Sequence, residues 1–452
     1  MISLFQRCGL LDPEFYICFM ISTEELYSIY QRHPRISTDT RAIIPGSVFF
    51  SLKGPSFNGN AFAEKALELG AAYAVVDEPE FQKNDRCLLV GDGLIALQQL
   101  ANYHRHQLTI PVLAVTGSNG KTTTKELIRS VLSKRYNTLA TKGNLNNHIG
   151  LPLTLLSISP DIEFAVIEMG ANHQGEIESY CKIAEPHYGL ITNVGKAHLE
   201  GFGGFEGVKK GKGELYAWIA SHSKTIFLNG NNSILHEMAK DHKVQYAVVY
   251  GTEDGFDCSG ALITDSPTLE VKWKQGDHSG QIQSQIIGAY NFENILAAVC
   301  IGNYFGVSAE AIDEAIAAYV PDNSRSQVVK KGTNTIILDA YNANPTSMEA
   351  ALKNFAALPD PHKLVCIGDM AELGEESRAE HERIMQLLKK IPAEKFILVG
   401  KNFGAFKDQI DCLYFQTSDE AANWVKKNPV KNSVILVKGS RSTMMEKVAE
   451  AL

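Results

Sequence analysis

The chain of 452 residues is too long for one hydrophobic core, and at about 100–200 residues per domain it predicts about three domains. Apolar residues make up 44% and charged residues 21%, which is typical of a globular protein and excludes disorder as the main state. The net charge is −8 without a long run of either sign, so we do not expect nucleic acid as a main partner.

The eight cysteines stand singly along the chain, without a CxxC pair or a short Cys/His cluster. A zinc site or a disulfide framework needs such groupings, so the pattern predicts neither. Scattered thiols are typical of a protein in the reducing cytoplasm. No apolar run approaches the roughly 20 residues that span a bilayer. We therefore expect a cytoplasmic protein without membrane insertion.

The first residues do not fit the pattern that follows them. The apolar stretch 15–21 is short and lacks the basic flank and cleavage site of a signal peptide. From Met20 onwards the chain begins like a helix, with Ser22 or Thr23 as its N-cap. Our hypothesis is that Met20 is the physiological start and that residues 1–19 are a non-native extension.

The first predicted domain covers residues 20–109 and is a small α/β unit. Its predicted elements are a strand at 48–52, a helix at 61–69, a strand at 72–76 and a helix around 94–107. Pro111 marks the point where a new pattern begins.

The second predicted domain, residues 110–320, holds the longest alternation of strands and helices. Its short, all-apolar strands are typical of a buried parallel sheet. The predicted elements are strands at 112–116, 164–168 and 188–192, helices at 121–134 and 291–304, and a β-rich region at 245–287.

The third predicted domain, residues 321–452, repeats this alternation. Its predicted elements are strands at 335–339, 363–367, 396–399 and 433–437 and helices at 346–357, 376–389 and 418–426. Such a pattern predicts an open, doubly wound, Rossmann-like sheet with ligands at the carboxyl ends of its strands. The predicted fold class is therefore α/β with three domains, the central one built on a mainly parallel sheet.

The strongest motif lies between the strand at 112–116 and the helix at 121–134. It is a glycine-rich turn that reads Gly117-Ser118-Asn119-Gly120-Lys121-Thr122-Thr123. Backbone N–H groups of such a turn bind phosphate oxygens, the lysine reaches the β- and γ-phosphates, and the following threonine binds Mg²⁺. Val115 stands where the longer P-loop has its first glycine, so this is the shortened form. The alternative is a plain glycine turn.

Glu168 closes the next predicted strand, and His198 lies in the polar stretch after the one that follows. Strand ends of a parallel sheet share one edge, so Glu168 is placed to hold Mg²⁺ there, with a structural salt bridge as the alternative. His198 is a less usual Mg²⁺ ligand, and a loop histidine with a structural role fits it equally. The local pattern alone predicts that Lys212 is a surface lysine.

Asn291 and Asn294 open the predicted helix at 291–304. Asn291 fits an N-cap, whereas two amides nearly one turn apart also fit contacts with an adenine edge. Arg325 lies at the junction of the second and third segments. A hinge arginine can swing onto a transferring phosphate and stabilise its charge.

Three polar loops follow strands of the third predicted sheet. They read Asp339-Ala-Tyr341-Asn342-Ala-Asn344-Pro, Gly368-Asp-Met-Ala-Glu-Leu-Gly and Lys438-Gly-Ser-Arg. Three polar loops on one sheet edge predict a binding site.

Together these motifs resemble the Mur ligase family over nearly all of residues 20–452. Further shared marks are Asp39-Thr-Arg, Pro45-Gly-Ser-Val-Phe-Phe, Gly143-Asn-Leu-Asn-Asn-His-Ile-Gly-Leu-Pro, Glu168-Met-Gly and Ala197-His-Leu-Glu. The loops of the last segment resemble the branch of the family that adds D-alanyl-D-alanine. Two departures are Asn323-Ser324, where the family more usually has Pro-Gly, and Asp339-Ala340, where it more usually has Asp-Asp.

The resemblance implies an ATP-dependent ligase that adds D-alanyl-D-alanine to UDP-N-acetylmuramoyl-tripeptide through an acyl phosphate, in peptidoglycan precursor biosynthesis. It implies that the first domain binds the UDP-sugar, the second ATP and the third the amine. ATP and two Mg²⁺ ions are the implied cofactors. Nothing in the sequence demands more than a monomer.

The resemblance also implies roles for single residues. Thr122 and Glu168 match ligands of one Mg²⁺, and Glu168, His198 and Lys212 match the surround of a second. Lys212 matches a lysine that is commonly carbamylated, which turns a cation into a carboxylate-like ligand. Lys121 and Arg325 complete the implied catalytic set.

The implied binding residues fall into three groups. Asn291 and Asn294 match the adenine-contacting pair, and Arg325 and Asp339 match residues that close onto ATP. The implied substrate-binding residues are Thr40, Arg41, Lys53, Asn144 and Asn147 for the UDP-muramoyl peptide, and Tyr341, Asn342 and Asn344 for D-alanyl-D-alanine.

Two alternatives belong to other classes of protein. A ligase of the folylpolyglutamate synthetase type shares the phosphate loop and the metal arrangement but lacks the loop at 341–345. A nucleotide-switch protein would hydrolyse ATP without an acceptor site. The sequence leaves open the third residue of the tripeptide.

Overall fold

The computed structural model describes residues 20–322 and 324–452, so the proposed extension 1–19 lies outside the described residues. The chain divides into two compact units. The first holds the residues up to Ile110 with Thr141–Ile162 and Ser179–Glu185, and the second holds Pro111–Ala140, Glu163–Glu178 and Pro186–Leu452. No helix in the described ranges is long and apolar enough to cross a membrane.

The first unit contains a small parallel sheet. Its strands are β1 (Ile36–Ser37), β2 (Val48–Phe50), β5 (Tyr73–Val76) and β6 (Cys87–Leu89), and β3 (Lys53–Gly54) with β4 (Phe57–Asn58) forms a separate hairpin. The sheet order is β1-β2-β5-β6, with all pairs parallel. The helices are Thr23–Arg32, Ala63–Glu68, Gly93–His106 and Gly150–Leu155. Ser22 caps the first helix in a capping box with Glu25, which selects one of the two predicted N-caps.

The second unit contains two sheets, of which the first has nine strands. They are β7 (Val112–Thr116), β8 (Thr138–Ala140), β9 (Phe164–Glu168), β10 (Tyr188–Ile191), β11 (Thr225–Asn229), β12 (Tyr246–Gly251), β13 (Cys258–Thr264), β14 (Glu270–Gln275) and β15 (His278–Gln283). The order is β15-β14-β13-β12-β11-β10-β7-β9-β8. Strands β7 to β13 pair in parallel, and β14 and β15 are antiparallel to their neighbours. The mainly parallel sheet is therefore confirmed.

Helices connect the strands of this nine-stranded sheet, and one of them, Glu176–Ala184, belongs to the first unit from Ser179 onwards. They are Lys121–Leu132, Glu176–Ala184, Leu199–Phe202, Phe205–Ser221, Ser233–Asp241, Phe292–Tyr304 and Ala309–Ala318. The helix Phe292–Tyr304 buries every residue from Asn294 to Gly302, as expected for a helix that is apolar all round. It packs in one core with the helix Lys121–Leu132, whose Leu127 is fully buried. Burying such a side chain contributes roughly 1.5–3 kcal/mol, so the core fixes the helix that follows the glycine-rich turn.

The second sheet of this unit has six strands. They are β16 (Gln327–Lys331), β17 (Asn334–Asp339), β18 (Lys363–Gly368), β19 (Lys395–Val399), β20 (Leu413–Phe415) and β21 (Val434–Lys438), in the order β16-β17-β21-β18-β19-β20. All pairs are parallel except β16 with β17. Its helices are Pro345–Ala357, Ser377–Leu388, Lys401–Gly404, Ser418–Lys427 and Glu446–Ala451. The doubly wound sheet is confirmed, and the three polar loops follow its adjacent strands β17, β21 and β18.

The three predicted segments each contain one of these sheets, and the predicted α/β fold class is correct. The boundaries themselves, 20–109, 110–320 and 321–452, stay predictions. The edge strands β16 and β20 and the helix Phe205–Ser221 were not predicted. The predicted helix at 61–69 begins as a 3-10 turn, Gly59–Phe62, before the α-helix.

Candidate active site

The glycine-rich turn lies between β7 and the helix that begins at Lys121. Gly117 has φ 143° and Gly120 has φ 78°. Residues other than glycine rarely adopt such positive φ angles. A Cβ atom at Gly117 would lie 2.0 Å from Oγ1 of Thr192, and one at Gly120 would lie 2.7 Å from Oδ1 of Asn294. The turn is thus packed tightly enough to require both glycines.

The stretch after β10 holds this turn from the side. The Asn119 N–H donates to Oδ1 of Asn193 at 3.0 Å, and the Gly195 N–H donates to Oγ of Ser118 at 2.9 Å. The Ser118 hydroxyl in turn donates to the Gly195 carbonyl at 3.1 Å. These bonds fix the turn against the neighbouring strand end.

Thr122 and Glu168 meet in the buried interior beneath the turn. The Thr122 hydroxyl donates to Oε1 of Glu168 at 3.2 Å, and both residues are buried. Lys121 donates from Nζ to the carbonyls of Gly117 at 2.7 Å and Ser118 at 3.3 Å. Burial lowers the pKa of Lys121 to about 8, with Arg325 adding to this effect and Glu168 opposing it. Four predicted site residues are therefore neighbours.

Lys125, which the sequence did not single out, belongs to the same cluster. Its side chain is fully buried, and Nζ lies 2.8 Å from Oε1 of Glu126 and 3.8 Å from Oε2 of Glu168. Lys125 thus places a buried positive charge beside the carboxylate of Glu168.

Lys212 is buried, so the prediction of a surface lysine from its local pattern is wrong. Nζ donates to the Ala171 carbonyl at 3.4 Å and lies 5.2 Å from the ring centre of Phe202. Burial, and next the positive charge of Lys121, lower the pKa of Lys212 well below its ordinary value.

His198 has a left-handed backbone, with φ 52°. Nδ1 lies 2.6 Å from Oε2 of Glu372, in the loop after β18. The proximity of the His198 ring lowers the pKa of Glu372. The charged partner of His198 is thus a residue that the sequence analysis did not select.

Asn291 and Asn294 are both buried and joined side chain to side chain. Nδ2 of Asn294 donates to Oδ1 of Asn291 at 2.8 Å, while its Oδ1 accepts from the Thr124 hydroxyl at 3.0 Å. Asn291 occupies the N-cap position of the helix Phe292–Tyr304, as predicted, but its side chain makes no capping hydrogen bond, and Nδ2 donates to the Ile287 carbonyl instead. The pair contacts the helix Lys121–Leu132 through Thr124. Its contact with adenine stays a prediction.

Arg325 stacks on the ring of Tyr341, with its guanidinium carbon 3.6 Å from the ring centre. The flanking Ser324 and Ser326 both have left-handed backbones, with φ 57° and 49°. Asp339 accepts from Nζ of the buried Lys438 at 2.6 Å. These contacts join the predicted hinge arginine to the loop after β17.

Asn344 joins that loop to the glycine-rich turn. Its Nδ2 donates to Oδ1 of Asn119 at 2.8 Å. Its Oδ1 accepts from the Ser347 N–H and caps the helix Pro345–Ala357. Asn342 accepts from Lys438 at its carbonyl at 3.3 Å. The loop after β17 therefore lies directly against the turn.

The remaining predicted residues lie in the first unit. Arg41 is exposed and pairs with Asp39 at 2.6 Å, next to Thr40 in a 3-10 turn. Nζ of Lys53 lies 3.1 Å from Asp77. The predicted Asn144 and Asn147 are exposed, and Oδ1 of Asn147 accepts from the Gly150 N–H at 2.8 Å. None of these contacts involves a substrate, so the roles of these residues in substrate binding stay predictions.

Comparisons with known proteins agree with this arrangement. Residues 34–116 match the model of the Mur ligase family catalytic domain, residues 115–302 the Mur ligase middle domain, and residues 324–441 the Mur ligase glutamate ligase domain. The chain is 35% identical over 423 residues to UDP-N-acetylmuramoyl-tripeptide–D-alanyl-D-alanine ligase of Escherichia coli (strain K12), covering 92% of this chain and 93% of that protein. The chain belongs to the Mur ligase family.

Solved Mur ligases share the fold. The crystal structure of MurF from Acinetobacter baumannii has a TM-score of 0.84 at 32% identity and covers 95% of this chain and 98% of its own. MurF ligase from Thermotoga maritima in complex with ADP has a TM-score of 0.82 at 26% identity, over 92% and 96% of the two chains. Folylpolyglutamate synthase from Thermotoga maritima, at 14% identity and a TM-score of 0.60, covers 79% of this chain and 91% of its own and shares the fold alone. The predicted family, the enzyme class of ligase and the D-alanyl-D-alanine-adding branch are thus confirmed by the relatives.

Proposed function

We propose that this Mur ligase forms the amide bond between D-alanyl-D-alanine and UDP-N-acetylmuramoyl-tripeptide, using ATP, in the synthesis of peptidoglycan precursors. The observation that carries the proposal is the 2.8 Å hydrogen bond from Asn344 to Asn119. It joins the loop typical of the D-alanyl-D-alanine-adding branch to the turn suited to ATP phosphates. Activation of the carboxylate and attack by the amine then share one site.

In the first step the terminal carboxylate of the tripeptide attacks the γ-phosphorus of ATP, and ADP leaves. Charge spreads over the phosphoryl oxygens, and catalysis consists mainly of positioning and electrostatic stabilisation. Lys121 and Arg325 supply the positive charge, and the backbone N–H groups of the glycine-rich turn orient the phosphates. Tyr341 holds the guanidinium of Arg325 beside them.

In the second step the uncharged amine of D-alanyl-D-alanine attacks the carbonyl carbon of the acyl phosphate. The tetrahedral intermediate then expels phosphate, and the proton from the amine passes to that phosphate or to water. We propose that Tyr341, Asn342 and Asn344 bind the dipeptide. Acyl phosphates hydrolyse readily, so the loops of the six-stranded sheet must exclude water while the intermediate exists. The contact between Asn344 and Asn119 supports this closure.

Thr122 and Glu168 fit a Mg²⁺ ion, because they offer a hydroxyl and a carboxylate oxygen 3.2 Å apart in a buried position. When bound there, Mg²⁺ would neutralise phosphate charge. Among residues 20–322 and 324–452 no group of three His, Cys, Asp or Glu side chains is arranged to hold a metal by itself. The phosphates of ATP and water would therefore complete the ligand set.

We propose that Lys212 is carbamylated and, with Glu168 and His198, surrounds a second ion. An ammonium group repels a cation, whereas a carbamate attracts it. The complete burial of Lys212 beside Lys121 supports this, since a carbamate would pair with that lysine. Short carboxylic acids should restore activity to Lys212→Ala, and a fully active Lys212→Ala would contradict the carbamate.

We propose that the first unit binds the UDP-muramoyl peptide through Thr40, Arg41, Lys53, Asn144 and Asn147. All five lie in that unit, and Arg41 presents an exposed cation suited to a phosphate. We propose that a monomer acts, since nothing in the sequence demands a larger assembly. ATP and UDP-linked substrates support our proposal that the enzyme is cytoplasmic.

The test is phosphate release from ATP and Mg²⁺ with UDP-N-acetylmuramoyl-tripeptide, with and without D-alanyl-D-alanine. We expect release to require both substrates. A parallel arm replaces D-alanyl-D-alanine by glutamate. Release that depends on glutamate would indicate a folylpolyglutamate-type ligase, and release without either substrate would indicate a nucleotide switch.

A further inference from the structure

The three polar loops at the carboxyl ends of β17, β21 and β18 differ in charge. The loop after β17 (340–344) carries no charged residue, and the loop after β18 (369–376) carries four acidic residues and no basic one. The loop after β21 (439–445) contains a single charged residue, Arg441. All three loops lie within the described chain, and Arg441 is the only cation in them.

Two further cations near this edge of the sheet are already engaged. Lys438, the last residue of β21, is buried and donates from Nζ to Asp339 at 2.6 Å. Arg325 stacks on the ring of Tyr341, and we assign it to the phosphoryl group. A second anion that binds at this edge would therefore have to meet Arg441.

Arg441 stands at the end of the central strand β21 with its guanidinium open to solvent. It begins the 3-10 turn Arg441–Thr443, and the N–H and the hydroxyl of Ser440 before it both donate to the Asp369 carbonyl, at 3.1 and 2.6 Å. The Arg441 side chain is 71% exposed, and Nη1 lies 2.9 Å from Oε1 of Glu446. Oε2 of Glu446 has no hydrogen-bond partner among the described residues. The guanidinium thus meets one oxygen of Glu446 and keeps further N–H donors for a ligand.

The dipeptide of the proposed reaction brings one anion of its own. Its amine attacks in the uncharged form, while its terminal carboxylate stays ionised at neutral pH. A planar guanidinium matches a carboxylate with two parallel N–H bonds. Neighbouring strands lie about 4.8 Å apart, and two extended residues span about 7 Å. A dipeptide whose amine lies at the loop after β17 therefore reaches the loop after the adjacent strand β21 with its carboxylate.

We propose that Arg441 binds the terminal carboxylate of D-alanyl-D-alanine and thereby selects an amine substrate with a free carboxylate. The proposal rests on the proposed function, because it names a binding residue for the amine of that reaction. Without Arg441 the acidic loop after β18 would leave this edge negative, and it would repel the same carboxylate.

The effect of this contact should fall on binding. The terminal carboxylate takes no part in bond formation, so its charge is the same in the bound substrate and in the transition state. The loss of a contact that is equal in both states raises KM and leaves kcat nearly unchanged. The competing explanation is an exposed ion pair with Glu446, which contributes little to stability and would treat charged and uncharged dipeptides alike.

The test compares D-alanyl-D-alanine with its C-terminal amide, which keeps the attacking amine and removes the negative charge. Phosphate release is measured at steady state with the full chain, ATP, Mg²⁺ and UDP-N-acetylmuramoyl-tripeptide. The variants are Arg441→Ala and Arg441→Lys, of which the second keeps the charge without the planar guanidinium. Lys401→Ala is the matched control, because Lys401 is an exposed cation that follows β19, one strand beyond β18.

We expect the unchanged chain and Lys401→Ala to prefer the dipeptide over its amide by about 10–100-fold in kcat/KM, mainly through KM. Arg441→Ala should lose about this factor with the dipeptide and little with the amide, and Arg441→Lys should fall between. If Arg441→Ala keeps the preference, or loses activity equally with both amines, the proposal is wrong. If the unchanged chain releases no phosphate with tripeptide and dipeptide together, the proposed function fails and the role of Arg441 falls with it.

Discussion

Replacing Lys125 by methionine removes a fully buried cation that lies between two carboxylates. Coulomb's law at an effective dielectric constant of about 20 gives about 4 kcal/mol for charges about 4 Å apart. The distances from Nζ to Glu126 and Glu168, 2.8 and 3.8 Å, fall in this range. Arg129 compensates part of the Glu126 charge at 2.9 Å, and Glu168 would lose a cation that lies 3.8 Å away. We expect Lys125→Met to lower the free energy of unfolding by about 3–5 kcal/mol.

The assay is urea unfolding followed by circular dichroism, together with phosphate release under native conditions. Lys134→Met is the matched control, because Nζ of Lys134 lies 3.2 Å from Glu314 in a partly exposed pair worth less than about 1 kcal/mol. Lys125→Arg keeps the charge and should recover part of the stability. If Lys125→Met costs no more than Lys134→Met, the buried lysine does not compensate Glu168 and the reasoning is wrong.

Three further predictions concern the glycine-rich turn and the hinge. Gly120→Ala should weaken ADP binding at least about tenfold in calorimetry, about 1.4 kcal/mol, because its Cβ meets Asn294 at 2.7 Å. Gly332→Ala, also at positive φ but with nothing within 4 Å, should leave binding unchanged, and equal effects of both would refute the steric argument. Ser324→Gly should stabilise the chain by about 0.5–1 kcal/mol in urea, since glycine relieves the strain at φ 57°, and a loss of stability would contradict this. Because the pKa of Lys121 falls to about 8 in the folded chain, the unfolded chain binds more protons between about pH 8 and 10.5, and stability relative to Lys121→Met should rise over that interval. If the difference in the free energy of unfolding between the unchanged chain and Lys121→Met is flat or falls with pH, the pKa of Lys121 is not lowered in the folded chain.

Local patterns predicted the elements that are continuous and buried. The strands β7 and β9 were predicted with the bounds that the structure has, because each consists of four buried apolar residues followed by one polar residue, Thr116 or Glu168. The helix Phe205–Ser221 escaped prediction because it contains three glycines, each of which lowers helix propensity. A Cβ at one of them, Gly211, would lie 2.4 Å from the Phe202 ring, so packing explains what propensity could not.

The candidate site also combines contacts that a local motif predicts with contacts that it does not predict. The glycine-rich turn is a contiguous motif, and its contact between Thr122 and Glu168 follows from adjacent parallel strands. The burial of Lys212 and of Lys125 depends on elements far apart in the chain, so no local pattern signals it. Glu372 stood inside a motif that was noticed, yet nothing in its spacing pointed to His198.

The hydrogen bond between Asn344 and Asn119 has a thermodynamic consequence. Asn119 belongs to the turn suited to nucleotide phosphates, and Asn344 to the loop proposed for the amine. Any molecule that stabilises one side of this bond changes the affinity of the other side, and linkage makes the factor identical in both directions. A compound that binds the amine loop would therefore be detectable as a shift in nucleotide affinity, without any turnover. A screen against the amine loop could thus be read from a fluorescent nucleotide alone.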